Sequence, residues 1–215
     1  SDFFHVSKNE QIADFCRKRG DFLMAETKDR RSVRRTKRLL KASLIDLLQT
    51  KGITKISVSE LAQAADINRG TFYLHYRDIY DLLDELENDI AKDFIAISDR
   101  HRQEVKKGDI YPVLRDFLIY ISENARVCLT LARIKNHNDM LRKLRKVLRE
   151  SCFQEWKPLQ RYVGTDVYEY YFSFVQSGYV GMLEYWLKNG MKETPKQISR
   201  MAEKIILRGI SSLNG

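Results

Sequence analysis

Residues 57–76 read Ser-Val-Ser-Glu-Leu-Ala-Gln-Ala-Ala-Asp-Ile-Asn-Arg-Gly-Thr-Phe-Tyr-Leu-His-Tyr, and this stretch decides the fold. Ser57 with Glu60 three residues on is a capping box, so a helix starts there and runs through Leu61 to Ala65. Asp66-Ile67-Asn68 interrupts it, and Asn68 is placed to cap a second short helix from Arg69. Two short helices joined by a three-residue turn predict a helix-turn-helix, whose second helix lies in a DNA major groove. That helix carries Arg69, Thr71, Tyr73, His75 and Tyr76, all able to bond bases or phosphates. With Ser57, Ser59, Gly70 and Arg77 they form the candidate DNA-binding set. Phe72 is expected to anchor the helix in the core.

Outward from this centre, Leu40, Leu44, Leu47 and Leu48 form one face of a preceding helix, expected from about Ser32 to Thr50 and ended by Gly52. Downstream, Asp78 caps a further helix with an apolar stripe of Ile79, Leu82, Leu83, Leu86, Ile90 and Phe94. The whole run from Arg35 to Leu86, with Val58, Leu61-Ala62, Ala65, Ile67, Gly70-Thr71-Phe72-Tyr73 and Tyr76 in order, resembles the DNA-binding domain of TetR-type (TetR/AcrR) transcriptional regulators. The ending from near Tyr168 is similar to the branch of that family that includes the dihydroxyacetone-kinase operon regulator. Two positions depart from the family pattern. Asp66 stands where the turn usually has Gly, and Asp tolerates the left-handed conformation. Ile79 stands where a phosphate-binding Lys is usual, and Arg77 is the candidate substitute.

Charge follows the same division. The chain of 215 residues has a net charge of +9, and residues 28–80 hold twelve Lys or Arg against five Asp or Glu, a surplus of seven. A basic segment beside a nearly neutral one points to a polyanion, although a charge run also suits a merely solvated face. Arg30, Arg31, Arg34, Arg35, Lys37 and Arg38 crowd the start of the first helix, where they oppose its dipole; phosphates or water would compensate. Cys16, Cys128 and Cys152, like the four histidines, show no metal or redox spacing, which suggests a reducing, cytoplasmic setting with no metal or cofactor. No apolar run is long enough to span a bilayer, so no membrane partner is expected.

Few prolines and a 3.6-residue periodicity predict an all-α fold. Its expected domains are an extension over 1–27, a three-helix helix-turn-helix domain over 28–80, and a helical effector-binding and dimerisation domain over 81–215. In the extension, Ile12, Phe15 and Cys16 share one face of a short helix from near Asn9, and Arg17, Lys18 and Arg19 offer further DNA contacts. Gly108-Asp109 with Pro112, Asn124, and Thr194-Pro195 mark helix starts; Asn136 to Asp139 is a polar turn. A long helix from Leu141 to Trp156 is expected to stop at, or kink near, Pro158.

The last two helices, Asp166 to Asn189 and Pro195 to Ser212, are apolar on more than one face, and Gly178 and Gly181 allow another backbone to approach. Tyr179, Met182, Trp186, Ile198, Met201 and Ile205 are the candidate dimer interface. The resemblance implies a homodimer on a palindromic operator, built through these helices, and a small-molecule effector that acts through the helix after the DNA-reading unit. Phe117, Tyr120, Trp156, Tyr171 and Phe174 are candidate pocket residues, although aromatics at helical spacing are more often plain packed core. The alternative is an effector-independent DNA-binding protein acting in chromosome organisation or through a protein partner. No glycine-rich phosphate loop, metal cluster or Ser/His/Asp spacing supports an enzyme.

Overall fold

A computed structural model describes residues 30–134 and 139–212. The expected extension over 1–27 and the turn at 136–138 lie outside the described residues. The chain divides into two compact units: residues 30–47 with Ile56–Leu82, and Leu48–Lys55 with the described residues from Leu83 onward.

The first unit rests on local caps. Helix α1 (residues 30–50) buries Leu40, Leu44 and Ile45, while Leu47 and Leu48 are half-buried. Helix α2 (Val58–Ala64) starts where the Ser57 hydroxyl accepts the Glu60 amide at 3.2 Å. Helix α3 (Arg69–Tyr73) starts where the Asn68 carboxamide accepts the Gly70 amide at 2.7 Å. Between them Asp66 takes φ +52°, and Ala65 is buried beside it. Leu61, Ala62, Phe72, Tyr76, Ile79 and Leu82 complete the core. Ile79 is therefore an apolar core residue.

Helix α4 (Ile79–Arg100) opens where Asp78 accepts the Asp81 amide at 2.9 Å. Asp81 in turn accepts the Arg77 amide at 3.0 Å. That bond and the Arg77 guanidinium hold the Asp81 carboxyl below its ordinary value. In the second unit α4 buries Leu83, Ile90, Phe94, Ile97 and Ser98. The fully buried Glu87 carboxylate meets the Lys143 ammonium at 3.4 Å.

Helix α5 (Arg102–Lys107) has no counterpart in the sequence reading: with Val105 its single buried residue, no apolar period announces it. Helices α6 (Tyr111–Glu123) and α7 (Ala125–Ala132) start where expected. The long helix expected up to Pro158 is corrected. Helix α8 (Asp139–Val147) passes into a π-helical turn over Leu148–Phe153, with Gln154 N–H donating to the Arg149 carbonyl five residues back. The wider turn ends the α-helix before the proline is reached.

Helix α9 (Asp166–Lys188) is capped by Thr165. Helix α10 (Pro195–Ser212) is capped by Thr194, whose hydroxyl accepts the Gln197 amide while Gln197 Oε1 accepts the Thr194 amide at 2.8 Å. Gly190, at φ +77°, makes the reversal between them. Helix α10 packs most extensively on α6. The Tyr171 hydroxyl also ties α9 to the Ile206 carbonyl at 2.6 Å.

One ion cluster in this unit gives a pH prediction. Asp116 accepts from Arg115 at 2.8 Å, and His101 Nε2 lies 2.7 Å from its carboxylate. Burial alone would raise its pKa, but His101 and Arg115 outweigh burial and hold it below the ordinary value. Because the folded value is the lower one, this stabilisation is present above the unfolded pKa of about 3.9 and is lost as pH falls through the folded value. Urea unfolding from pH 6 to pH 2.5 is expected to show a steeper acid loss in the native chain than in Asp116→Asn. Equal slopes would refute the assignment.

Candidate nucleic-acid interface

The DNA-facing candidates separate by burial. Arg69 and Tyr73 stand one turn apart on the exposed side of α3. The Arg69 guanidinium donates to the Tyr73 hydroxyl at 3.2 Å and lies 5.5 Å from its ring centre. This contact reduces the freedom of a long cation before any partner arrives. Tyr73 itself is 49% exposed and meets the buried Phe72 edge-on at 5.5 Å. Gly70 is exposed, and a Cβ there would come within 3.2 Å of the Asn68 oxygen that caps the helix. Glycine thus protects the cap and leaves the backbone open to close approach. Thr71 and His75 are half-buried on the other flank, and Ser59 is exposed. Ser57 is an exposed residue whose hydroxyl already serves as the α2 cap.

Tyr76 requires correction. It is 4% exposed, packs on Phe72 at 5.7 Å and has the Lys37 ammonium 5.2 Å from its ring centre. It belongs to the core, four residues from Phe72 on the same helical face, and does not present a phenol to a phosphate. Arg77 is open, with 86% of its side chain exposed, and pairs loosely with Asp81 at 3.5 Å. The sequence reading overlooked Leu74, which is 80% exposed at the end of α3. Arg34, Arg35 and Arg38 of α1 are also exposed and belong to the same unit.

The five pocket candidates do not converge on one cavity, which corrects that expectation. Phe117 is fully buried and stacks on Phe94 at 4.6 Å. Trp156 is fully buried, with its indole N–H on the Gly108 carbonyl at 3.0 Å. Tyr120 donates to Asp93 at 2.9 Å in a cleft of about 500 Å³ between α4 and α6, which Ile97, Arg100, Asp116, Ile119 and Glu123 also line. Tyr171 and the exposed Phe174 line a different hollow, on the outer side of α9 and α10.

That hollow is an apolar groove of about 270 Å³. Tyr179, Met182, Met201 and Ile205 from the interface candidates line it. Gly178 lines it too, and a Cβ at Gly178 or Gly181 would meet nothing within 4 Å. Tyr170 and Tyr185 of α9 extend the exposed apolar surface. Two interface candidates are corrected. Trp186 is 2% exposed with its indole N–H on the Glu193 carbonyl at 2.8 Å, and Ile198 is likewise buried. Both are satisfied within their own chain.

Among the described residues, no group of three or more His, Cys, Asp or Glu is arranged to hold a metal. No described helix is long and apolar enough to cross a membrane. Burial pushes the Cys128 and Cys152 thiols up to about 11, which keeps both protonated at neutral pH.

Comparison with known proteins covers both units. Residues 40–86 match the family model for bacterial regulatory proteins of the tetR family, and residues 108–208 match a model described as a transcriptional regulator C-terminal region. The HTH-type transcriptional regulator AcrR of Shigella flexneri is 32% identical over 78 residues, 36% of each chain. The chain thus spans little more than a third of that relative. Among solved structures, a TetR transcriptional regulator from Streptococcus agalactiae 2603V superposes with a TM-score of 0.61 at 23% identity, over 85% of this chain and 98% of its own. The dihydroxyacetone kinase operon activator DhaS superposes with a TM-score of 0.56 at 18% identity, over 82% and 96%. At these identities the two structures share the fold: a helix-turn-helix unit followed by a helical C-terminal domain.

Proposed function

This chain belongs to the tetR family of bacterial regulatory proteins, and from that premise we propose that it binds double-stranded DNA sequence-specifically, as a homodimer on a palindromic operator. The observation that carries the reading is the exposed Arg69–Tyr73 pair on a helix held at its start by Asn68 and at its base by Phe72. A guanidinium in the major groove reads guanine O6 and N7, and the phenol hydroxyl and neighbouring cations serve phosphates. The groove between α9 and α10 supports a second copy as partner. Two-fold symmetry then sets half-sites one helical turn, about 34–36 Å, apart. Such a protein acts in the cytoplasm, in keeping with its isolated cysteines.

Control by a small molecule is the finer part of the proposal. The cleft at Asp93 and Tyr120 is formed in part by α4, which begins two residues after Arg77. An effector there that prefers one position of α4 changes operator affinity, and by linkage DNA changes effector affinity to the same degree. The effector-free reading is supported by the interior at Phe117 and Trp156, which is filled. Titrating metabolite pools against operator-bound protein separates the two: a ligand that binds without changing operator affinity leaves the effector-free reading standing.

Selection from random DNA tests the central proposal. It is expected to enrich a palindrome whose binding weakens steeply with salt. Arg69→Ala is expected to lose about 1–3 kcal/mol of discrimination at one position per half-site. Tyr73→Phe is expected to weaken all sequences through the lost phosphate contact and to blunt part of the Arg69 discrimination, because the same hydroxyl holds the Arg69 guanidinium. A selection that enriches no sequence overturns the proposal.

A further inference from the structure

The C-terminal cap of helix α3 is an exposed leucine that neither the core nor the polar contacts of the helix use. Leu74 is 80% exposed and continues the α-helical backbone with φ −69° and ψ −19°. At about 100° per residue it stands nearly opposite Phe72, the buried anchor. Gly70, four residues earlier, lies on the same line. Arg69 and Tyr73 flank this line on one side, and Thr71 and His75 on the other. Leu74 is therefore on the crest of the helix, beyond a glycine that lets the backbone approach closely.

An isobutyl group on that crest offers nothing to a phosphate or to a base donor or acceptor. The one apolar group that a base pair presents in the major groove is the thymine C5 methyl. We propose that Leu74 is a specificity-determining residue that reads the methyl group of one thymine in each half-site. This rests on the DNA-binding reading above. Gly70 sets the depth of approach, the Arg69–Tyr73 pair fixes register, and Leu74 selects thymine at the position it covers.

The test replaces thymine by deoxyuridine, one position at a time, in the operator obtained by selection. Base pairing is unchanged and only the methyl is lost. The native protein is expected to lose about four-fold in affinity at one position per half-site and about fifteen-fold when both half-sites are changed, the worth of one buried methyl each. Leu74→Ala and Leu74→Gln are expected to bind the thymine and deoxyuridine forms of that position equally. Both are expected to fold, since Leu74 is 80% exposed, and an unchanged far-UV dichroism spectrum and urea midpoint check this. A native protein indifferent to deoxyuridine at every position overturns the proposal, as does an undiminished preference in both variants or a selected half-site without thymine. If selection enriches no sequence at all, the DNA-binding reading itself has failed, which is a different result.

Discussion

Ile205→Asp is expected to sediment as a monomer at micromolar concentration and to lose about a hundredfold or more in operator affinity. Ile205 is 56% exposed on the rim of the α9–α10 groove, beside Met201 and near Phe174. In a two-fold interface the same patch meets itself, so one substitution places a carboxylate in the contact from each side. Burying an unpaired charge among apolar groups costs several kcal/mol, enough to separate a dimer whose apolar patch is its main asset. The DNA consequence follows from linkage of the two reading units. A dimer presents its second helix-turn-helix at high effective concentration, which raises affinity by about 10² to 10⁴ over a single unit. Because Ile205 is open in the monomer, the separated chain should keep its native helical signal, while its urea midpoint falls by the association energy that is lost. A dimer that survives Ile205→Asp would remove this face from the interface. Trp186→Ala serves as a contrast: it should destabilise the chain itself, since that indole is buried and bonded within its own fold.

Trp156→Ala is expected to destabilise the second unit by about 3–5 kcal/mol, in the range for emptying a buried tryptophan site. The indole has no exposed edge, meets Phe153 at 6.1 Å and satisfies the Gly108 carbonyl, so truncation leaves both a cavity and an unpaired acceptor. The chain contains two tryptophans, so Trp186 remains as a fluorescence probe within the same unit during urea unfolding. Were Trp156 a wall of an effector pocket, its loss would enlarge that pocket and leave stability within about 1 kcal/mol of native. The two outcomes differ enough for one unfolding curve to decide between them.

What the amino-acid order determined by itself is the local architecture. Ser57, Asn68, Asp78, Thr165 and Thr194 each meet an amide two or three residues away, so their caps depend on no distant contact. The helix-turn-helix and the starts of α4, α9 and α10 were legible for that reason. The apolar stripe of α4 was legible because one face of a helix repeats every three to four residues.

Tertiary structure decided which apolar and aromatic groups stay outside. Tyr73 and Tyr76 are three residues apart and chemically identical, yet only Tyr76 shares the Phe72 face and is buried. Leu74 follows Phe72 by two residues, and apolar type alone assigns it to the core. In α9, aromatic residues occur around most of the helix, so no period distinguishes the inward side. Packing against the rest of the chain buried Tyr168, Phe172 and Trp186 and left Tyr170, Phe174 and Tyr185 in the open. Phe117 and Trp156 carry the composition of a ligand pocket, but the space around them is filled by their own neighbours. Residue type states what a side chain can bind; whether a site is already occupied depends on contacts far apart in the chain, such as the bond from Trp156 to Gly108, which no local pattern encodes.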